Sequence, residues 1–404
     1  VKVLAMNSSN STRIAWIYPS ISYGAYWQPI INEFTKSFDN MIFYTGCMWP
    51  GFRPDTIGAS KFKVIGKSKY VRSETTEGYS RGFIYASPSI IFYLVQFKPH
   101  VIFASAFSVW TVLALLLKPV ARWRVVIMYD GSSPNSDFQD SKFRTFARKV
   151  LARFSDAFIA NSRAAEIYLA EGLNVSRDHI FTRTYLVPDV KSLLQKADNV
   201  EPIAFQCQKP VFLFVGQVIA RKGIQVLLEA CSLLRQEGYK DYTLMIVGDG
   251  AKRQDLEVFV QEHHLQQQVM WVGWVEYGQL GAYFQQADVF VFPTYEDVWG
   301  MVVLEAMVFG KPIVCSKGAN ASELVMEEEN GYLFNPTDVN ALASAMRCLI
   351  NNPSLVVSMG SRSRELIAEH TPESAAQAFA EVANFVMEDA GTRGGSTQDV
   401  MIEK

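Results

Sequence analysis

The sequence predicts an α/β protein of two doubly wound domains facing a central cleft. Three observations predict it. The chain has 404 residues, more than one ordinary hydrophobic core holds. Short, continuous apolar runs recur along it, each closed by a turn residue, which reads as strands buried on both faces and hence as parallel sheets. Amphipathic helical patterns lie between these runs, and strand–helix alternation places helices on both faces of each sheet.

In the first half the strand runs are IAWIYP (14–19), MIFYTG (41–46), VIFAS (101–105), RVVIMYDG (124–131) and AFIANS (157–162). In the second half they are VFLFVG (211–216), TLMIVGDG (243–250), VMWVG (269–273), VFVFP (289–293) and PIVCS (312–316). Helices are expected over KGIQVLLEACSLLRQEG (222–238), SELVMEE (322–328) and VNALASAMRCLINNP (339–353). The pattern restarts after the segment 191–210, which has two prolines and no strong strand signal, so the boundary falls there. The expected division is 12–200 and 201–370, then a helix over 371–387 returning toward the first domain. The Gly-rich polar tail 388–404 is expected to be disordered.

Composition narrows the function class. Hydrophobic residues make up 49% of the chain and charged residues 19%, as in a globular protein in water. A net charge of −2 gives no bulk attraction to nucleic acid or to an anionic membrane. The five cysteines are scattered without a CxxC pair, which argues against a metal site or disulfide framework and for a reducing, cytoplasmic setting. The first twelve residues do not read as a signal peptide, and no apolar run is long enough to span a membrane.

The most informative stretch is PTYEDVWGMVVLEAMVFGKP (293–312). It reads as strand end, loop, and a helix closed by Gly310. The helix is apolar on every side except for Glu305, and a buried carboxylate needs a partner. Either Glu305 meets a ligand's hydroxyls, or it pairs with a structural cation while Asp297 merely caps the helix. The first amides of that helix, at Gly300, Met301 and Val302, suit an anion.

A second loop follows VFLFVG, where Arg221 and Lys222 precede the helix opened by Gly223. Two cations at the carboxyl end of a strand suit a diphosphate, although an isolated pair is more often solvated surface. VGDG (247–250) falls short of a dinucleotide fingerprint and reads as a tight turn. In the first half, Gly24 lets the backbone approach a ligand, and Asp130 follows a strand; a plain Asp-Gly turn explains the latter equally well. The segment 141–154 carries Lys142, Arg144, Arg148, Lys149 and Arg153 beside Phe143, Phe146, Leu151 and Phe154. Such a helix is either a solvated face or a peripheral contact with an anionic membrane, which here means the inner face.

These blocks, VGQVIARKGIQVLLEA, IVGDGAKRQDLE, PTYEDVWGMVVLEAMVFGKPIVCS and ASELVMEEENGYLFNPTD, resemble in order the signature of the retaining glycosyltransferases of family 4. The resemblance covers residues 12 to 387 and is most specific in the second half. It implies the GT-B fold, two Rossmann-like domains with the acceptor on the first and a nucleotide sugar on the second. It implies a metal-independent enzyme moving a sugar from a nucleoside-diphosphate sugar, UDP ahead of GDP, to a hydroxyl of a glycan, lipid or small molecule. Glu305 then takes the place of the acid that holds the ribose, and Asp297 that of the acid facing the transferred sugar. Lys222 matches the lysine on the diphosphate, and Gly24 the glycine loop beside the donor. Gly300, Met301 and Val302 supply backbone contacts, and Asp130 stands on the acceptor side. The chain departs from the pattern in three places. The first acid is Asp297 rather than Glu, with Glu296 one step earlier; Gln217 replaces a common arginine, leaving Arg221 as substitute; and a common histidine is absent near Tyr129-Asp130. An epimerase on the same fold, or a non-catalytic partner subunit, are the competing readings.

Overall fold

Burial follows from the apolar runs. In the computed structural model, which describes residues 11–19, 26–49, 52–72, 82–138, 141–198 and 207–395, nearly every run becomes the fully buried centre of a parallel sheet. Two compact units divide the chain. Of the described residues, one takes those up to Leu186 together with Pro372 onward, and the other takes Val187–Thr371.

The first unit holds strands β1 (Ile14–Tyr18), β2 (Met41–Thr45), β3 (Phe62–Val64), β4 (Lys69–Arg72), β5 (Gly82–Tyr85), β6 (Val101–Ser105), β7 (Arg124–Tyr129), β8 (Ala157–Ala160) and β9 (Ile180–Thr182). All but β4 and β5 form one parallel sheet of order β3-β2-β1-β6-β7-β8-β9, while β4 and β5 pair as an antiparallel hairpin. Its helices are α1 (Trp27–Phe34), α2 (Ile90–Phe97), α3 (Val109–Ala121), α4 (Lys142–Phe154) and α5 (Arg163–Ile167). The second unit opens with α6 (Val190–Asp198). It continues through β10 (Val211–Val215), α7 (Ile224–Gln236), β11 (Thr243–Val247), α8 (Arg253–Glu262), β12 (Val269–Gly273) and α9 (Leu280–Gln286). Then follow β13 (Val289–Phe292), α10 (Met301–Val308), β14 (Ile313–Ser316), β15 (Gly331–Phe334), α11 (Val339–Asn351) and α12 (Pro353–Ile367). Its sheet has the order β12-β11-β10-β13-β14-β15, all parallel.

That order fixes where a ligand can sit. The chain winds outward from β10 to β12, returns, and winds the other way from β13, so β10 and β13 are neighbours although far apart in sequence. The loops leaving their carboxyl ends diverge to opposite faces and leave a crevice between them. The first sheet has the same reversal between β1 and β6.

The last helix, α13 (Pro372–Gly395), returns to the first unit. Phe379 is fully buried and lies 4.4 Å (ring centroids) from Trp16 and 5.2 Å from both Phe103 and Tyr185. Trp16 also meets Trp27, Phe34 and Phe43. Each such aromatic pair is worth about 0.5–1.5 kcal/mol beyond its buried area.

Several expectations change. The segment 322–328 is not an α-helix: a short 3-10 helix spans Asn320–Leu324, and the chain then doubles back into β15. The Asn330 carboxamide drives the reversal by accepting from the Met326 amide at 2.7 Å. The last helix runs to Gly395, beyond residue 387, while the remaining tail, 396–404, lies outside the described residues. Five strands that the apolar runs do not announce, β3, β4, β5, β9 and β15, are short and lie at sheet edges or in the hairpin. Among the described residues no helix is long and apolar enough to cross a membrane.

Candidate functional site

The site assembles where the second sheet reverses. After β10, the chain passes Gly216 and turns through Ala220–Lys222 before Gly223 opens α7. Gly223 has φ +68°, and a Cβ there would lie 2.0 Å from the Pro293 carbonyl oxygen. Only glycine lets the loop after β10 press this closely on the loop after β13. The VGDG turn braces it from behind: the Val218 amide donates to Asp249 O at 3.0 Å, and the Lys252 amide donates to Val218 O at 3.0 Å.

From the other side, the loop after β13 is held against the same cations. The Arg221 carbonyl accepts from the Tyr295 amide at 2.8 Å and from Thr294 Oγ1 at 3.1 Å. The Arg221 guanidinium donates back to the Glu296 carbonyl at 2.7 Å. Asp297 is then pinned by its backbone, whose amide donates to Gly318 O at 2.9 Å and whose carbonyl accepts from the Asn320 amide at 3.1 Å. Its carboxylate faces the cations, with Lys222 Nζ 2.5 Å and Arg221 Nη1 3.5 Å from Oδ2. Oδ1 accepts from the Trp299 amide at 3.3 Å. Of the two adjacent acids, Asp297 therefore meets the cations through its side chain, and Glu296 meets Arg221 through its backbone.

Lys222, Arg221 and Asp297 are largely shielded from water. Burial pushes the Lys222 ammonium pKa down, and the Asp297 carboxylate offsets part of that shift. The ammonium also lies 5.0 Å from the centre of the Phe292 ring. A buried cation whose charge is held by a single carboxylate is well placed to exchange that partner for a phosphate.

Helix α10 starts at Gly300, with φ +108° and no side-chain cap. A Cβ at Gly300 would sit 2.9 Å from the Phe292 ring. Met301 and Val302 form the first turn and are half-buried. One turn further, Glu305 is 3% exposed within a helix whose neighbours Val303, Leu304, Ala306 and Met307 are all buried. Its Oε1 accepts from the Tyr277 hydroxyl at 2.8 Å. Sequence reasoning missed this phenol. The signal was available, since Tyr277 lies in the loop that leaves the carboxyl end of β12, where ligands of such sheets bind. The Gly318–Asn320 loop, which fixes Asp297, was also missed; its role depends on backbone pairing that side-chain identity does not announce.

Of the first-unit candidates, Gly24 lies outside the described residues. Asp130 sits just beyond β7, and both its oxygens are engaged: Oδ2 accepts from Tyr18 at 2.7 Å and Oδ1 from Tyr185 at 2.6 Å. Burial raises its pKa, and the two tyrosyl hydrogen bonds pull it back. Asp130 thus ties the end of β1 to the segment after β9 rather than presenting an open carboxylate. In α4, Arg148 turns inward, donating to Asp137 O at 2.8 Å and to the Tyr168 hydroxyl at 2.8 Å. Leu151 packs against the core of the first unit, which corrects its placement on an outward apolar stripe. Phe143, Phe146 and Phe154 do point outward.

Residues 195–366 match the family model of the glycosyl transferases group 1. A sulfoquinovosyl transferase of Arabidopsis thaliana is 24% identical over 300 residues, 69% of this chain and 55% of that protein. A D-inositol 3-phosphate glycosyltransferase of Pseudarthrobacter chlorophenolicus is 30% identical over 211 residues, covering 50% of this chain and 49% of that one. The chain spans about half the length of the curated relatives it matches. Among solved structures, the sucrose-phosphate synthase of Thermosynechococcus elongatus superposes with a TM-score of 0.71 at 20% identity, covering 94% of this chain and all of that one (100%). Anabaena HepE in complex with UDP gives 0.69 at 17% identity, covering 92% of this chain and 100% of that one. The fold is shared with GT-B glycosyltransferases.

Proposed function

We propose that this chain, whose second unit carries a group 1 glycosyltransferase domain, is a retaining hexosyltransferase that moves a sugar from a nucleoside-diphosphate sugar to a hydroxyl acceptor. The observation that carries the reading is the Lys222–Asp297–Arg221 cluster at the reversal of the second sheet. In the proposed donor complex the diphosphate takes over Lys222 and Arg221, with the Gly300–Val302 amides adding donors at the helix start. Glu305, at the base of the same helix and braced by Tyr277, receives the ribose hydroxyls. Asp297, released from Lys222, faces the transferred sugar, with Glu296 beside it. UDP is the expected nucleotide, a reading supported by the solved neighbour that holds UDP.

Breaking the sugar–diphosphate bond places negative charge on the leaving oxygen and oxocarbenium character on the sugar. Lys222, Arg221 and the amides of α10 meet the first charge, so the reaction needs no metal ion or other cofactor. A single fixed donor of this kind contributes about 3 kcal/mol in the transition state. Retention follows if the acceptor hydroxyl attacks on the face from which the diphosphate leaves and passes its proton to that leaving group. Asp130 acts on the acceptor side as a positioning residue, through Tyr18 and Tyr185. Outward phenylalanines on α4, flanked by Lys142, Arg144 and Arg153, support a peripheral contact with an anionic membrane, and with it a lipid or glycan acceptor.

A thermal-shift panel of UDP, GDP, ADP and dTDP tests the reading. Nucleotide at 100 times its dissociation constant adds about 2.7 kcal/mol of stability. UDP is expected to raise the melting temperature most, with transfer persisting in EDTA. No response to any of the four nucleotides would overturn the proposal.

A further inference from the structure

At the opposite end of the first sheet from the ends of β1 and β7 that hold Tyr18 and Asp130, the amino ends of β1, β6 and β7 border a cavity of about 540 Å³. Its walls are apolar, with Val95 from α2, Val120 from α3, and Pro99 and Trp123 from the turns that follow those helices. Its rim is cationic, with Arg13, Lys98, Arg122 and Arg124. Arg124 is paired with Asp156 at 3.0 Å, and Lys118 shares that carboxylate at 2.6 Å. Arg13 Nε donates to Lys98 O at 2.7 Å, and Arg13 Nη2 lies 3.1 Å from His100 Nε2. Among the described residues no carboxylate pairs with Arg13, Lys98 or Arg122.

Two features set this cavity apart from an ordinary cleft between helix ends. Helices α2 and α3 both stop in a left-handed residue, a position that favours glycine, yet the residues there are Lys98 (φ +51°) and Arg122 (φ +59°). A cation suits a helix C-terminus, but that alone needs no cavity beside it. The helices beside the cavity also present apolar side chains where solvent would favour charge. Phe92 and Val95 on α2 and Leu116 (70% exposed) and Val120 (86%) on α3 face outward, and so do Phe143 (80%) and Phe146 (67%) at the amino end of α4, which do not line the cavity. These helices lie side by side: α2 packs on α3, and α3 is tied to the end of α4 by Lys118 Nζ donating to Phe154 O at 2.7 Å. An apolar face interleaved with cations matches an anionic bilayer, where apolar side chains enter the acyl region and cations stay among the headgroups.

We infer that this cavity seats the phosphate headgroup of an anionic phospholipid, with Lys98 and Arg122 on the phosphate and the acyl chains against Val95 and Val120, so that the outer face of α2, α3 and α4 docks on a membrane. The inference deepens the membrane contact proposed for α4 and adds a defined lipid site to it.

The test uses the full-length protein and dihexanoyl phosphatidylglycerol below its micelle concentration, followed by NMR chemical-shift titration, with inorganic phosphate as the comparison. Wild type is expected to bind the monomeric lipid with shifts centred on the ends of α2 and α3, and phosphate at least tenfold more weakly. Ala121→Trp fills the cavity without altering any charge and is expected to weaken lipid binding at least tenfold; Lys98→Glu with Arg122→Glu is expected to do the same. Unchanged circular dichroism and melting temperature establish that these variants fold. The pair Phe143→Ser and Phe146→Ser is expected to keep monomer binding and lose sedimentation with phosphatidylglycerol vesicles. Absence of lipid binding, equal binding of free phosphate, or lipid binding within twofold of wild type in Ala121→Trp would each overturn the inference. Monomer binding without vesicle binding by the wild type would leave the cavity's role standing and remove the α4 contact. None of these readouts depends on sugar transfer, so failure here is separable from failure of the transferase reading.

Discussion

Lys222 Nζ lies 2.5 Å from Asp297 Oδ2, joining the loop after β10 to the loop after β13 across the reversal of the second sheet. The pair holds a buried ammonium at the spot where a diphosphate is expected, with the carboxylate occupying the anion's place. In the proposed donor complex these partners exchange, with Asp297 freed for the sugar as Lys222 turns to the phosphate. Lys222→Met should lower kcat/KM by about 10²–10³-fold in a transfer assay. A loss smaller than threefold would remove Lys222 from the diphosphate.

The same pair predicts a pH effect. Burial is the larger influence and lowers the Lys222 pKa below the ordinary lysine value of 10.5; Asp297 acts in the opposite sense. The cationic form is the useful one, so activity should fall as pH rises at a pH below that of a free lysine. Lys222→Arg should carry that alkaline limb to higher pH, because a guanidinium stays charged. Asp297→Asn removes the influence that raises the pKa, so the limb should move to lower pH in whatever activity remains. A pH–rate profile of the three proteins decides it.

Glu305 and Glu296 should separate cleanly. Glu305→Gln keeps the volume of the side chain in its apolar helix but weakens acceptance from ribose hydroxyls and Tyr277. A rise in the nucleotide dissociation constant of about 10–100-fold is expected, as for loss of a charged hydrogen bond. Glu296→Ala should change it less than threefold, because the contact Glu296 makes with Arg221 uses its backbone carbonyl. Calorimetric titration with UDP measures both, and equal losses would mean that the two acids are wrongly assigned.

Asp130→Asn tests a positioning role. An amide offers Tyr18 and Tyr185 only one acceptor, so a stability loss of about 1–3 kcal/mol is expected. Burial raises the folded pKa of Asp130 above its unfolded value of about 3.9. The proton is therefore bound more tightly in the folded protein, and the wild-type advantage is full below that unfolded pKa and declines as pH rises through the folded value. Urea unfolding between pH 4.5 and 7.5 should show the deficit of the variant narrowing toward higher pH.

Much of this was legible because the relevant forces are local. Continuous apolar runs required buried strands, and ten such runs became ten of the strands, among them the six central ones of the first sheet's β1, β6 and β7 and the second sheet's β10, β11 and β13. A lone carboxylate in an all-apolar helix announced Glu305, and the spacing of Arg221, Lys222 and Gly223 announced a loop between strand and helix. The unread parts depend on partners distant in sequence. Tyr277 reaches Glu305 only because α10 and the loop after β12 converge, and Asp130 is enclosed only because β1 and the segment after β9 flank β7. Edge strands such as β9 and β15 carry too few apolar residues to stand out from loops.

Helix α13 has a consequence for the order in which the protein is made. Trp16 leaves the ribosome before Val187–Thr371, but the Phe379 ring that covers it follows only after the whole of that segment has been synthesised. At about 5–20 residues per second, that interval is roughly 10–40 s. The first unit is therefore begun before the second and completed after it, and through that interval its aromatic core stands open on the side that α13 will close.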